Sequence, residues 1–202
     1  MDLMQIRRRM MAQTKKNRLP DGYRELECIT GTGGQYLDTG IRPQVGDALE
    51  ITFYSNASGD DLRPFGAYTP GVAIDGHNGM RIITSAFNSV YAYIGGGRKS
   101  TVECTSDGTW SLNGAVVTSG LPIQINNNLA ITIFKARYKN NKLYGTGEMT
   151  LYGFKYYRAG SAIANYVPCE EILTGNIGVY DLVSGTFVAN AGTGTFLKGV
   201  NL

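Results

Sequence analysis

Charged residues, histidine and cysteine are all scarce in this chain of 202 residues. Only 17 % of the residues are charged, one is a histidine (His77) and three are cysteines, Cys28, Cys104 and Cys169. A single histidine argues against multi-histidine metal centres and Cys/His nucleophile pairs. The odd, widely spaced cysteines argue against both a disulfide framework and a zinc site. Cys104 lies in a strand-like run, where we expect a small buried apolar side chain.

Long apolar runs are also missing. No stretch approaches the roughly 18 residues that a membrane-spanning helix needs. The first residues lack the uninterrupted apolar segment of a signal peptide. We therefore expect no membrane insertion, and a protein that stays in the cytoplasm where it is made unless it leaves within a larger particle.

Glycine and tyrosine are abundant instead. The chain has 27 glycines, 13 tyrosines and 43 % hydrophobic residues. Glycine suits tight turns, and aromatic and β-branched residues suit pleated, half-buried strands. This composition predicts a single all-β domain with a substantial core.

Residues 1–18 form a basic segment that differs from the rest. They hold six basic residues and one acidic residue, a net charge of +5, whereas the other 184 residues carry 13 basic and 15 acidic residues, a net charge of −2. Leu3, Ile6 and Met10 recur at helical spacing, which predicts a short amphipathic helix that needs a docking surface. The predicted anchoring residues are Leu3, Ile6, Arg7, Arg8, Arg9, Met10 and Met11.

Three partners are conceivable for this arm. Nucleic-acid binding would use the charge but leave the apolar stripe unexplained. Membrane binding normally needs a longer apolar face. Docking onto a protein assembly uses both features, and we prefer it. The turn at 19–22 (Leu-Pro-Asp-Gly) marks the boundary between the arm, 1–18, and the domain, 19–202.

After this turn the sequence has the rhythm of short strands. Leu49, Ile51 and Phe53 alternate with polar residues, and Asn113-Gly114 predicts a type I′ hairpin turn within 109–117. A second hairpin is expected at 178–188, and two longer strands at 128–138 and 148–158. About a dozen strands in total favour two packed sheets, because each strand has one strongly apolar face.

Motifs of catalysis and ligand binding are weak. The run 95–100 (Gly-Gly-Gly-Arg-Lys-Ser) lacks the glycine before the lysine that a phosphate loop needs, so we expect a surface turn. No carboxylate pair has the spacing of a laminarinase-like glycosidase; Glu25/Glu27 and Glu170/Glu171 are the nearest pairs. We expect no cofactor, and calcium is the alternative that loop oxygens leave open. Those oxygens belong to Asp60, Asp61, Asp75 and Asn78.

Aromatic residues are numerous enough to build a sugar-stacking face. Tyr91, Tyr93 and Tyr138 are the candidates for glycan binding. The alternative is that Trp110 and several tyrosines belong to the core. The strand at 150–157 carries rings on both faces, so some rings should be exposed.

Two stretches near the start of the domain, 19–29 (LPDGYRELECI) and 32–41 (TGGQYLDTGI), resemble phage and prophage proteins with a concanavalin A-like (laminin G-like) jelly-roll domain. Further similar pieces occur in order at 65–66, 151–157, 166–169, 178–185 and 190–194. The resemblance implies an all-β, two-sheet antiparallel jelly-roll sandwich behind the helical arm, in a virion. It supplies no catalytic residues.

This resemblance implies a non-catalytic phage virion structural protein. The arm would anchor it to other virion proteins of the capsid or tail, and the domain would serve as decoration or as a weak adhesin for a host-surface glycan. Self-association as a homo-oligomer is expected, and nucleic acid is not an expected partner. The alternatives are a free carbohydrate-binding module and, less favoured, a laminarinase-like glycoside hydrolase.

Overall fold

The computed structural model describes residues 18–55, 63–67, 72–75, 80–83, 89–92, 97–126, 128–138, 141–199 and 202, with 72–75, 80–83 and 89–92 as backbone only. These residues form strands and turns, without an α-helix among them. In the same part of the chain, no helix is long and apolar enough to cross a membrane. The all-β prediction is confirmed for the described chain, and the arm helix predicted within 1–18 lies almost wholly outside it.

The described residues form nineteen strands. They are β1 (Tyr23–Glu25), β2 (Ile29–Thr32), β3 (Leu37–Asp38), β4 (Ala48–Ser55), β5 (Phe65–Ala67), β6 (Val72–Asp75), β7 (Met80–Ile83), β8 (Ser89–Ala92), β9 (Arg98–Cys104), β10 (Trp110–Leu112), β11 (Ala115–Thr118), β12 (Thr132–Ile133), β13 (Ala136–Arg137), β14 (Leu143–Tyr144), β15 (Glu148–Arg158), β16 (Ser161–Glu171), β17 (Ile177–Asp181), β18 (Thr186–Ala189) and β19 (Leu197–Lys198).

Eleven strands form a large antiparallel sheet in the order β11-β10-β9-β4-β15-β16-β17-β18. Strand β1 pairs with β16, and β19 pairs with β2, which in turn pairs with β15. The 11-residue strand β15 is central, since β4 lies along one side and β2 and β16 share the other. Both ends of the domain sequence therefore enter the same sheet.

The second sheet has eight strands, ordered β14-β13-β5-β6-β7-β8, with β12 joining β5 to β3. Its inner face packs against the large sheet as in a β-sandwich. The ring of Phe65 on β5 lies 6.3 Å from that of Phe154 on β15, centroid to centroid. Buried side chains of both sheets form one core cluster, which includes Leu49, Ile51, Phe53, Phe65, Val102, Trp110, Ile133, Leu151, Phe154 and Tyr156.

Both predicted hairpins within the described chain are confirmed. Strands β10 and β11 flank Asn113 and Gly114, whose φ values of 52° and 81° suit a type I′ turn. Strands β17 and β18 form the second hairpin. Trp110 is fully buried and donates its indole N–H to the carbonyl oxygen of Leu121 at 2.8 Å, so the core alternative holds for this residue.

The prediction of one long strand at 128–138 is wrong. Two short strands, β12 and β13, replace it because Phe134 adopts a left-handed φ of 76° between them. Its backbone N–H donates to the carbonyl oxygen of Pro64, and its ring packs 4.6 Å from that of Phe196. The bend at Phe134 buries its ring but interrupts the strand. The backbone strain of this bend costs about 1–3 kcal/mol, which the burial of the ring offsets.

A buried ion pair closes one end of β15. Arg158 donates from Nε and Nη2 to the two carboxylate oxygens of Asp47 at 2.9 and 2.8 Å, and the Asp47 side chain is only 1 % exposed. Arg158 also donates to the carbonyl oxygen of Arg42, and Asp47 accepts the backbone N–H of Gln44. This network attaches the loop before β4 to the end of β15.

Candidate functional site

The predicted anchoring residues Leu3, Ile6, Arg7, Arg8, Arg9, Met10 and Met11 lie outside the described residues. The structure describes the chain from Arg18 onward, and both Arg18 and Leu19 contact the domain. Arg18 forms an ion pair with Glu25, whose side chain is only 4 % exposed, and its Nε lies 3.1 and 3.2 Å from the two carboxylate oxygens. Leu19 is buried in a cluster with Val167, Cys169 and Tyr180.

The three tyrosines predicted to bind glycans do not form one described site. Tyr138 is half-buried just after β13, and its ring contacts that of Tyr144 edge-on at 5.6 Å. Tyr91 lies on β8, and three strands separate β8 from β13. At the usual strand spacing this places the two backbones roughly 19 Å apart. Tyr93 lies outside the described residues.

Most of the candidate calcium ligands also lie outside the described residues. Asp60, Asp61 and Asn78 lie outside the described residues, as does His77, and Asp75 ends β6 with only its backbone described. In the part of the chain that the structure describes, no group of three or more His, Cys, Asp or Glu residues could hold a metal ion.

The three cysteines are free thiols. Cys104 and Cys169 are fully buried in the large sheet, and burial raises the pKa of each thiol to about 12. Cys28 is half-buried, and its pKa is also raised, mainly by burial. Because the thiolate is the reactive form, none of the three has the character of a nucleophile.

The outer face of the large sheet has a feature that sequence analysis missed, a bulge in β15. The residues of β15 that face the core are Met149 and Leu151 before the bulge and Phe154 and Tyr156 after it. The pairing with β4 shifts register between Leu151 and Gly153. Without this shift the even alternation would turn Lys155 inward. The bulge therefore places Tyr152 and Gly153 side by side on the outer face.

A groove of about 250 Å³ lies over this bulge, and we call it the Tyr152 groove. An added Cβ at Gly153 would meet only the carbonyl oxygen of Tyr166, at 3.6 Å, so the glycine leaves open space above the sheet. The lining side chains come from β4, β9, β15, β16 and the residue before the domain. The polar ones are Arg18, Glu50, Thr52, Lys99, Tyr152, Lys155, Asn165 and Tyr166.

Lys99 and Tyr152 contact each other across the groove. The Lys99 ammonium lies 3.7 Å from the centroid of the Tyr152 ring, a cation–π contact. Partial burial, with smaller contributions from Cys28, Glu27 and Tyr54, raises the pKa of the Tyr152 phenol. The phenol is therefore protonated at neutral pH and can donate a hydrogen bond.

The charges in the groove are only partly compensated. Lys155 donates to Glu50 at 2.9 Å, and this hydrogen bond raises the pKa of the lysine, which therefore stays charged. Arg18 is paired with Glu25. Lys99 forms no ion pair with any residue that the structure describes. It is thus the cation in the lining that is available to an anion.

Two carboxylates lie opposite each other beside this groove. Glu50 on β4 and Glu103 on β9 are direct cross-strand partners on the outer face. The two residues are 53 positions apart in the chain, so a motif defined by the spacing of carboxylates within one strand does not include them. Glu50 is held by Lys155, and Glu103 accepts a hydrogen bond from Ser111 Oγ at 2.8 Å.

No protein-family model matches the chain, and no curated protein matches it either. What the groove could bind depends on the donors, acceptors and charges of its lining.

Proposed function

We propose that this chain is a non-catalytic structural protein of a phage virion. Its domain is a jelly-roll sandwich of the concanavalin A-like type, and residues 1–18 are an anchoring arm that includes a short amphipathic helix. The arm binds a capsid or tail protein, and the domain is displayed in several copies as decoration or as a weak glycan adhesin.

The observation that carries this proposal is the junction of arm and domain. A displayed domain must be joined firmly to its anchor. Here Arg18 is tied to a buried carboxylate, Glu25, and Leu19 is inserted into an apolar cluster. Glu25 lies on β1, which pairs with β16 in the large sheet. Load on the arm is therefore passed directly into the largest sheet of the domain.

A display role also agrees with how the outer carboxylates are used. Glycoside hydrolysis needs two carboxyl groups that are free to act as acid and as nucleophile or base. Glu50 and Glu103 form a cross-strand carboxylate pair beside the groove, and each accepts a hydrogen bond, from Lys155 and Ser111 respectively. Weak glycan binding at Tyr138 is useful in a multicopy particle, because several weak sites act together.

A truncation tests the anchoring. Deletion of residues 1–17 retains the Arg18–Glu25 pair, so the domain should keep its thermal stability. We expect this variant to be lost from purified particles, as measured by quantitative mass spectrometry. A full-length variant with Arg7, Arg8 and Arg9 changed to Ala is expected to show a partial loss. Incorporation of the truncated protein at the normal level would refute the anchoring role.

A free carbohydrate-binding module is the second candidate, favoured by the polar groove on the exposed sheet face. For such a module the arm is incidental. The truncated protein would then bind glycans like the full-length protein, and neither form would be found in particles. Release of reducing sugar from β-glucan by the purified protein would instead support a hydrolase.

A further inference from the structure

We propose that the Tyr152 groove binds an acidic saccharide, with a sugar carboxylate at Lys99 and neighbouring hydroxyl groups at Lys155, Glu50 and Asn165. This goes beyond the display function proposed above, since the site does not include Tyr138 and takes from the arm only Arg18, which is paired with Glu25. It assigns a ligand-binding role to the outer face of the large sheet.

The shape of the groove follows from the bulge in β15. Two successive residues face outward there, and one of them, Gly153, has no side chain. The neighbouring Tyr152 and Lys155 rise on either side of the space that the glycine leaves. The result is a trough at the surface rather than an enclosed cavity. Sites for compact apolar ligands are usually deeper and lined mainly by apolar groups.

The hydrogen-bonding groups suit sugar hydroxyls. A hydroxyl group both donates and accepts, and the Lys155–Glu50 pair offers a donor and an acceptor 2.9 Å apart. The side-chain amide of Asn165 forms no hydrogen bond to any residue that the structure describes. Lys155 and Asn165 are direct cross-strand partners, so these groups face the same part of the trough.

The charges of the groove favour an acidic saccharide over a neutral one. Arg18 and Lys155 are compensated by Glu25 and Glu50, respectively, and this leaves the ammonium of Lys99. Contact with the Tyr152 ring holds this ammonium at the groove without neutralising it. Among the lining residues, Lys99 is thus the cation without an ion pair to the part of the chain that the structure describes, and a single such cation matches a monoanionic carboxylate.

Binding should be measured with oligomers of galacturonate, glucuronate and mannuronate, and with the same oligomers after reduction of their carboxyl groups. We expect at least one acidic oligomer to bind and its reduced counterpart to bind about tenfold or more weakly. Affinity should also fall between low salt and 0.3 M NaCl, because the lysine is exposed.

Two variants localise the site. Lys99→Met keeps an apolar stem on the Tyr152 ring but removes the charge, and it should lose about tenfold or more in affinity for the acidic oligomer. Gly153→Val fills the trough and should abolish binding of both forms. Lys142→Met, an equal charge change at an exposed lysine just before β14 of the other sheet, is the matched control and should bind as the unmodified protein does. Circular dichroism establishes that each variant is folded.

Several outcomes would overturn the proposal. These are equal binding of acidic and reduced oligomers, unchanged binding by folded Lys99→Met, and no binding of any oligomer. Loss of binding in Tyr138→Ala but not in Lys99→Met would place the glycan site on the small sheet. The display function would survive each of these results, because its test is incorporation into particles.

Discussion

The Arg158–Asp47 ion pair offers a direct test of how the end of β15 is stabilised. Changing Arg158 to Ala leaves the Asp47 carboxylate, 1 % exposed, without its cationic partner. Breaking a buried pair in this way costs about 3–5 kcal/mol. Because Arg158 itself is 33 % exposed, water can partly replace it, and we expect the lower end, about 3 kcal/mol.

Urea unfolding can be followed by the fluorescence of Trp110, which is the single tryptophan and is fully buried. With a denaturant slope of about 2 kcal/mol/M, the unfolding midpoint should fall by about 1.5 M. The control is Lys155→Ala on the same strand. It breaks a pair with Glu50 in which the side chains are 40 % and 34 % exposed, so less than about 1 kcal/mol should be lost. An equal decrease in the free energy of unfolding in the two variants would refute the idea that burial of Asp47 makes its ion pair the more important one.

Three further predictions concern a turn, two thiols and the core. Ala159→Asn should raise the free energy of unfolding by about 0.5–1 kcal/mol, measured by thermal melting, because Ala159 has a φ of 49° in an exposed two-residue turn where Asn is favoured. Burial raises the pKa of Cys104 and Cys169 to about 12 in the folded state, so the contribution of these two thiols to stability should be constant below about pH 9 and fall as the pH rises towards 12. When both cysteines are changed to Ala, the urea midpoint should fall less steeply with rising pH. An unchanged dependence of the midpoint on pH would show that the two thiols do not cause the fall. Trp110→Phe should lower the free energy of unfolding by about 2–4 kcal/mol, because the Leu121 carbonyl loses its donor and the smaller ring leaves a cavity. Urea unfolding followed by circular dichroism measures this, and a decrease below about 1 kcal/mol would contradict the prediction.

Local patterns predicted much of the large sheet. The alternation of Leu49, Ile51 and Phe53 with polar residues gave the correct buried face of β4, because a strand has a strict period of two. The Asn113-Gly114 turn was identifiable because few residue pairs tolerate two positive φ values. Cys104 is buried in β9, as its strand-like surroundings indicated.

The break at Phe134 was not predictable in the same way. Its positive φ depends on a hydrogen bond to Pro64 and on a ring contact with Phe196, both far away in the chain. The groove was missed for a similar reason. The outward rings of 150–157 were expected, but the bulge that pairs Tyr152 with Gly153 depends on the register of β4.

The class of the fold, two of its hairpins and the inward face of β4 could be predicted from the sequence, because turn chemistry and two-residue periodicity are local properties. Which charges of the groove lack an ion pair among the described residues depends on the tertiary structure. Lys99 lies in a glycine-rich run that is unremarkable in one dimension, yet strand pairing brings it to Tyr152, 53 positions further on. Pairing of β4 with β15 likewise joins Glu50 to Lys155, whereas the turn before β1 brings Arg18 to Glu25. Among the described residues this leaves Lys99 without an ion pair. Cross-strand register, which depends on the whole sheet, is the physical reason for this division.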